Sequence, residues 1–154
     1  MKPEELIGTS VTSWGRTISE AEFTLLTDLT WLVAALHTDE DYMKSTPFGT
    51  RILAAPLVLA LTLGLAASTG ARQKMLSLDW SLKAIVGLEN VRFLAPLKIG
   101  DTLTAQTTFK EWRATSKDHR RILVMQQTGL NQNGDDLIDY NQLVLFEKPK
   151  AVTA

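Results

Sequence analysis

The chain has 154 residues, a hydrophobic share of 45% and a formal net charge of −1. These values predict a single globular domain over residues 1–154, large enough to bury a sizeable core. The near-neutral charge argues against a nucleic-acid partner, because phosphate neutralisation needs a strongly basic face. The chain has no cysteine, which excludes disulfides, thiolate metal sites and a cysteine nucleophile. The N-terminal sequence MKPEEL is acidic and has no apolar signal core, which favours a cytoplasmic location.

The first third of the chain predicts a short strand followed by small helices. Residues 10–18 alternate loosely, as in a half-buried strand. Ser19 and Glu22 have the spacing of a capping box, so a helix is expected to begin at Ser19. The apolar run WLVAAL (31–36) meets His37 abruptly. Thr38 or Asp39 can then cap a short helix that breaks near Pro47.

The run LAAPLVLALTLGLAASTGA (53–71) predicts one long buried helix over about 54–70. Leu and Ala are strong helix formers, Pro56 is tolerated in a first turn, and Gly70 is a stop signal. A helix that is apolar on every face must be enclosed. A membrane span is disfavoured because the run is short of about 20 residues, contains proline and lacks a basic flank.

Beyond Gly70 the pattern changes to period-two alternation, typical of antiparallel strands. Turn signals separate the segments, and the last residues, about 148–154, are expected to be a loose tail. The fold class predicted is α+β, with an antiparallel sheet wrapped around the helix. The predicted strands are 76–86, 91–97, 101–112, 120–130 and 136–146, and the turns are at Gly87, 100–101, 116–118 and 133–134.

Two stretches carry a family resemblance. The first contains Leu29-Thr30, Leu36-His37, Asp39, Tyr42, Phe48-Gly49, Ile52 and Leu57, which fit F-x-x-L-T-G-D-x-x-P-L-H-x-D-x-x-Y-A followed by F-G-x-x-I-A-H-G-x-L without a gap. The second contains Gly87-Leu88, Val91-Arg92-Phe93, Ala95-Pro96 and Gly100-Asp101-Thr102, followed by the hairpin at 131–134. These patterns resemble the MaoC-like hydratases, which add water to trans-2-enoyl thioesters such as enoyl-CoA.

This resemblance implies a single hot-dog domain, with five or six strands curled around the helix. Exposed strand edges and a half-covered helix favour a homodimer with pockets near the subunit boundary. The family's acid–base pair is an Asp and a His five residues apart, which activate water and move a proton at the substrate's alpha carbon. His37 occupies the His position, and we expect it to be the catalytic residue of such a lyase.

Several pocket positions depart from the family pattern. The family's Asp is Leu32 here and the preceding Gly is Trp31, while Ala34 and Ala35 stand where polar residues or proline are usual. The family's His-Gly at the start of the central helix is Ala54-Ala55. The substitutions cluster at the expected substrate site, so an apolar pocket is predicted. Its expected lining residues are Trp31, Leu32, Ala34, Ala54 and Ala55.

Other groups keep alternative interpretations. Asp79 and Lys83 are four residues apart in a predicted strand, so they share a face. They could be an inward base or amine nucleophile, or a solvent-exposed pair. Asp28 or Asp39 could pair with His37, although solvent exposure is favoured for Asp28 and helix capping for Asp39. The first amides of the central helix could bind a carbonyl oxygen.

Three functions remain open at this stage. The chain could be an enoyl-thioester hydratase that uses His37, a binding or accessory subunit without hydratase activity, or a scaffold refitted naturally or by design for another reaction on a hydrophobic molecule. The expected ligand is an acyl thioester or another small hydrophobic molecule. Neither a cofactor nor a metal is predicted, because no two histidines have ligand spacing.

Overall fold

A computed structural model describes residues 1–149, so residues 150–154 of the predicted tail lie outside the described residues. A 3₁₀ turn at Pro3–Glu5 precedes the regular elements. The strands are β1 (Ser10–Thr12), β2 (Arg16–Thr17), β3 (Ser81–Phe93), β4 (Thr102–Ala114), β5 (Arg120–Leu130) and β6 (Asp136–Glu147). The helices are α1 (Glu20–Thr30), α2 (Ala35–Thr38), α3 (Glu40–Lys44), α4 (Ala55–Ala67) and α5 (Gly70–Leu76).

The strands form one antiparallel sheet in the order β1-β4-β5-β6-β3, with β2 also paired to β4. This arrangement confirms the predicted α+β class and the expected number of strands. β3 is one long strand, whereas the sequence predicted two strands separated by a turn at Gly87. That prediction was wrong because Gly87 pairs with Leu143 of β6, and β3 continues through local register shifts to Phe93.

Helix α1 begins as the sequence predicted. The Ser19 side chain accepts a hydrogen bond from the Glu22 N–H, and the Glu22 carboxylate accepts one from the Ser19 N–H, which completes the capping box. The helix ends at Trp31, whose backbone is left-handed with a φ of 59°. The chain then turns into the short helices α2 and α3, in which Met43 is the one buried residue.

Helix α4 packs one face on the sheet. Leu57, Val58, Thr62 and Ala66 are buried on that face. At Gly129 of β5 the helix comes so close that an added Cβ would lie 2.7 Å from the Thr62 Oγ1 atom. The opposite face, which includes Pro56, Ala60, Gly64 and Ala67, is exposed. The described chain therefore covers one side of a helix that is apolar all round.

The predicted end of the central helix at Gly70 was wrong. Helix α4 stops at Ala67, and Gly70 is instead the first residue of α5. The reason is local side-chain capping: the Ser68 hydroxyl donates to the Leu65 carbonyl, while the Thr69 hydroxyl donates to the Ala66 carbonyl and accepts from the Ala71 N–H. These bonds satisfy the end of one helix and the start of the next.

Candidate functional site

His37 is held against the segment that leads into α4. Its Nδ1 atom lies 2.7 Å from the carbonyl oxygen of Ile52, and the Ile52 N–H donates to the Leu36 carbonyl at 3.2 Å. A carbonyl oxygen can only accept, so Nδ1 donates in this contact. In the neutral ring, Nε2 is then the nitrogen with a free lone pair, which is the state required of a general base.

A cavity of about 440 Å³ lies beside this histidine. Its walls come from the start of α4 and from the loop after β3, and within the described part of the chain His37 is the one titratable residue that lines it. The remaining lining residues are apolar: Phe48, Ile52, Leu53, Ala55, Val58, Phe93, Leu94, Ala95, Pro96 and Leu137. An apolar pocket with one oriented polar group is typical of a small-molecule site.

The N-terminus of α4 reaches the same cavity. Ala54 is the buried N-cap and Ala55, the first helical residue, lines the wall. The Leu57 N–H already donates to the Ala54 carbonyl at 2.8 Å, and Pro56 has no N–H. The Ala55 N–H therefore remains available in the first turn, at the positive end of the helix dipole. A partly negative oxygen would be stabilised there.

The other residues expected to line the pocket are not part of the wall of this cavity. Trp31 is 85% exposed, and Ala34 is the exposed N-cap of α2. Leu32 is half-buried and packs against the core cluster that contains Phe23 and Leu57. The structure thus brings His37 and Ala55 together, whereas Trp31, Leu32, Ala34 and Ala54 are not among the residues that line the cavity.

Asp79 and Lys83 lie elsewhere. Asp79 precedes β3, and its carboxylate is 3.6 Å from the N-terminal amine of Met1. Lys83 is on β3 and its Nζ atom is 3.7 Å from the Glu147 carboxylate. The two residues therefore do not share a strand face as the spacing predicted, because α5 extends to Leu76 and delays the strand to Ser81. Neither residue lines the His37 cavity.

Among residues 1–149, no carboxylate lines the His37 cavity or is hydrogen-bonded to the His37 ring in place of the family's Asp. Asp39 is the N-cap of α3 and accepts from the Tyr42 N–H at 2.9 Å, which confirms the capping interpretation. Asp28 is exposed near the end of α1. Within residues 1–149, the hydrogen bond recorded for the His37 ring is the one to the Ile52 carbonyl.

Sequence reasoning missed the lining residues supplied by distant segments. Phe48 and Ile52 precede α4, and Phe93 to Pro96 follow from the far edge of the sheet. Phe48, Ile52, Phe93, Ala95 and Pro96 are positions that match the family pattern. That match was the available signal, but a family pattern indicates the fold without saying which of its residues line the pocket.

A larger cleft of about 750 Å³ lies between α1 and the exposed face of α4, with Trp14, Leu25 and Leu61 among its walls. Its charged residues, Arg16 and Glu22, pair with each other, and it lacks a histidine. The chemistry therefore favours the smaller cavity at His37.

Neither a metal cluster nor a membrane-spanning helix is found in the described chain. No three His, Asp or Glu side chains of residues 1–149 are grouped so that they could hold a metal ion. No single helix in this range is long and apolar enough to cross a membrane. Helices α4 and α5 meet that test only as a pair bent by 59°, and by length and composition alone.

A curled antiparallel sheet, a central helix and a histidine-bearing segment over the helix N-terminus define the class of hot-dog domains with a pocket at the helix tip. The family model of the MaoC like domain matches residues 3–132. The chain therefore belongs to the MaoC-like family, which confirms the resemblance identified in the sequence.

Similar proteins agree with this assignment. An (R)-specific enoyl-CoA hydratase from Rhodospirillum rubrum is 33% identical over 96 residues, which are 62% of this chain and 60% of that relative. The match thus spans less than two thirds of the relative's length. A structure of a monoamine oxidase regulatory protein from Archaeoglobus superimposes with a TM-score of 0.81 at 29% identity, covering 97% of this chain and 95% of that one.

The fold comparison also confirms the hot-dog architecture. A Mycobacterium tuberculosis protein described as a double hot-dog fold matches with a TM-score of 0.74 at 17% identity. The match covers 100% of this chain and 46% of the larger one. The present chain is therefore equivalent in extent to about half of that protein.

Proposed function

We propose that this chain binds an acyl thioester in the His37 cavity and hydrates or dehydrates it with His37 as its sole acid–base group. The observation that carries the proposal is the 2.7 Å contact between the His37 Nδ1 atom and the Ile52 carbonyl. It supports Nδ1 as the donor nitrogen, so that Nε2 carries the lone pair whenever the ring is neutral, in a cavity that also receives the first residue of α4. The family assignment and the relationship to an (R)-specific enoyl-CoA hydratase support the substrate class.

In the proposed hydration, Nε2 of His37 removes a proton from water as the water oxygen bonds to the β-carbon of a trans-2-enoyl thioester. The electron pair of the carbon–carbon double bond moves toward the thioester oxygen, where the Ala55 N–H and the helix dipole stabilise the negative charge. The imidazolium then returns the proton to the alpha carbon, which regenerates the neutral ring. Dehydration follows the same steps in reverse.

A second candidate, an accessory subunit that binds the thioester without turnover, is favoured by one specific observation. The position of the family's Asp is Leu32, whose side chain packs into the core. Among the described residues, no carboxylate is hydrogen-bonded to His37. Since an acid–base pair divides the proton transfers between two groups, a lone histidine is expected to be a much weaker catalyst.

We also propose that the protein is a homodimer joined along β3. This edge strand is exposed along nearly its whole length, with Ile85 and Val86 each about half exposed. A long apolar edge is a template for pairing with another strand. Phe93 at the end of β3 and Leu94 after it also line the His37 cavity, so pairing there would place the pocket at the subunit boundary. The match to half of a double hot-dog protein supports this arrangement.

The activity is tested by the hydration of crotonyl-CoA by the parent chain and by His37→Ala, with His119→Ala as the matched control. His119 is the second of the two histidines and lies in the turn before β5. We expect His37→Ala to lower turnover by about 10²-fold or more, the usual contribution of a general base, and His119→Ala to leave it unchanged.

Binding of crotonyl-CoA by isothermal titration separates the two candidates. Binding without turnover in the parent would favour the accessory subunit, and the double change Leu32→Asp with Ala54→His is then expected to introduce hydration. The absence of both binding and turnover would overturn the proposed function.

A further inference from the structure

We infer that Arg51 is a positioning residue that fixes the tautomer of His37 by clamping the His37 segment, residues 31–44, onto α1 and the approach to α4. In its link to catalysis this inference rests on the proposed function. Its structural claim concerns the His37 ring itself, and that claim can be measured without turnover.

Arg51 forms two carboxylate contacts at once. Its Nη2 atom lies 2.7 Å and 2.9 Å from the two oxygens of Glu20, the first residue of α1. Its Nε atom lies 3.0 Å from the Oε2 atom of Glu40, the first residue of α3. The guanidinium also lies 5.5 Å from the centre of the buried Phe23 ring. The Arg51 side chain thus joins the first residues of α1 and α3 to the segment that leads into α4.

These contacts are sheltered on the arginine side, whereas the side chains of Glu20 and Glu40 are 58% and 44% exposed. The Arg51 side chain is 18% exposed. The hydrogen bond from Arg51 holds the pKa of Glu40 below its usual range, and the pairing with Glu20, followed by that with Glu40, raises the pKa of Arg51. Both carboxylates also lie at helix N-termini, where negative charge is favoured. The cluster is therefore expected to stay ionised and paired near neutral pH.

The clamp reaches His37 through one peptide unit. Ile52, the next residue, donates its N–H to the Leu36 carbonyl and accepts from His37 Nδ1. One side of Ile52 is already fixed. Ile52 forms an antiparallel β-bridge with Lys98, and the Leu53 N–H donates to the Leu97 carbonyl. The opposite side of Ile52 contacts Leu36 and His37, and there the described chain forms no strand pairing.

The His37 segment has little packing of its own. Helix α2 contains no buried residue, and α3 contains only Met43. A segment with few buried contacts opens easily. The pairing of Arg51 with Glu40 is therefore expected to decide how firmly His37 is held at 2.7 Å from the Ile52 carbonyl. Lysine would not replace this arginine fully, because a single ammonium group lacks the planar fork that serves two carboxylates.

The test measures directly which nitrogen of the His37 imidazole carries the proton. The change His119→Gln leaves His37 as the one histidine of the chain. The ring nitrogens are then observed by ¹⁵N NMR at alkaline pH, where an imidazole is neutral. Variants Arg51→Gln and Arg51→Lys are made in this background. The matched control is Arg113→Gln, because Arg113 also contacts two glutamates, Glu89 and Glu111, and its variant removes the same charge.

We expect the parent and Arg113→Gln to show one tautomer, protonated at Nδ1. Arg51→Gln is expected to increase the Nε2-protonated population severalfold, and Arg51→Lys to fall between the two. In the crotonyl-CoA assay, Arg51→Gln should lose about tenfold or more of kcat/KM through misplacement of the base. Should Arg51→Gln fail to fold, the double variant Glu20→Ala with Glu40→Ala removes the same contacts and is expected to shift the tautomer alike.

An unchanged tautomer population in a folded Arg51 variant would overturn the proposed role of Arg51. Equal changes of the tautomer population in Arg51→Gln and Arg113→Gln would overturn it too. The two proposals fail separately. A tautomer shift in a protein without hydratase activity would support the role of Arg51 and overturn the proposed catalysis. Turnover with an unchanged tautomer in the Arg51 variants would support the catalysis and overturn the role of Arg51.

Discussion

The hydroxyl group of Tyr140 is buried without a hydrogen-bond partner among the described residues. The side chain is fully buried in the core cluster beneath α4, and burial raises the pKa of Tyr140 well above its ordinary value. A polar group that loses water and gains no protein partner costs free energy. The aromatic ring at this position stabilises the fold, whereas its oxygen does not.

Tyr140→Phe is therefore expected to keep the stability of the fold or to increase it by about 1 kcal/mol, since it removes only the unpaired oxygen. Urea unfolding at fixed protein concentration measures the change. Tyr42→Phe, at a half-exposed tyrosine, is the control and should be neutral. A loss of stability in Tyr140→Phe alone would show that the hydroxyl has a partner in solution.

Trp31 and His37 show how far single residues could be predicted. The resemblance identified Trp31 as a departure from the family's glycine, and its backbone is left-handed with a φ of 59°. Glycine adopts that conformation freely, whereas other L-residues pay about 1–2 kcal/mol for it. The pattern indicated the position but not this backbone conformation. The resemblance identified His37 as the expected catalytic residue, but the pattern did not indicate that its ring bonds the carbonyl of Ile52, fifteen residues further on.

The start of α1 is the element whose stability depends most clearly on pH. The hydrogen bond from Arg16, followed by those from the Ser19 N–H and hydroxyl, lowers the pKa of Glu22 from 4.5 to about 2. A carboxylate with a depressed folded-state pKa stabilises the fold above its unfolded pKa, and this contribution is lost as the pH falls toward 2. Acid is thus expected to weaken the capping box together with its contact to Arg16.

Glu22→Gln tests this dependence, because glutamine can still complete a capping box but carries no charge. The parent should be the more stable protein at neutral pH, and the difference should shrink as the pH falls below about 4 and vanish near 2. Urea unfolding of both proteins across this range measures it. A difference that does not change with pH would contradict the ionic origin of the contribution.

Among the helices and strands, the sequence predicted those boundaries that depend on neighbouring residues. The capping box of α1 and the Asp39 cap of α3 depend on neighbours in sequence, and both are confirmed. Gly70 and Gly87 were wrongly assigned as breaks. The capping hydroxyls of Ser68 and Thr69 decide the first case, and pairing of β3 with β6 decides the second. Neither effect is visible in a glycine taken alone.

In the whole molecule, one group of exposed apolar side chains lies on the edge strand β3, which a second chain could pair with. Half-exposed Ile85, Val86 and Phe93 lie on β3, which has one neighbour, β6, and one free edge. Such an edge is normally protected by charge, proline or a covering element. The charged residues of β3 are Lys83 near its start and Glu89 and Arg92 near its end, so residues 84–88 in its middle carry no charge. The sequence predicted paired subunits from edge strands in general, and the structure supports β3 as the edge concerned.

A lysine in the middle of β3 should therefore separate the subunits. In a two-fold antiparallel pairing, Val86→Lys places like charges near each other across the interface, which is destabilising. We expect light scattering to give about twice the chain mass of 17.0 kDa for the parent and the single-chain mass for Val86→Lys. Leu29→Lys, at a more exposed leucine on α1, is the control and should keep the parent mass.

Because Phe93 and Leu94 line the His37 cavity, separation of the subunits should also weaken the site. Crotonyl-CoA binding is then expected to fall in Val86→Lys in proportion to the loss of dimer and to recover at high protein concentration, while Leu29→Lys binds as the parent does. A parent chain that stays at 17.0 kDa yet binds fully would contradict a pocket at the subunit boundary. In that case the exposed edge of β3 has to be explained by a partner other than a second copy.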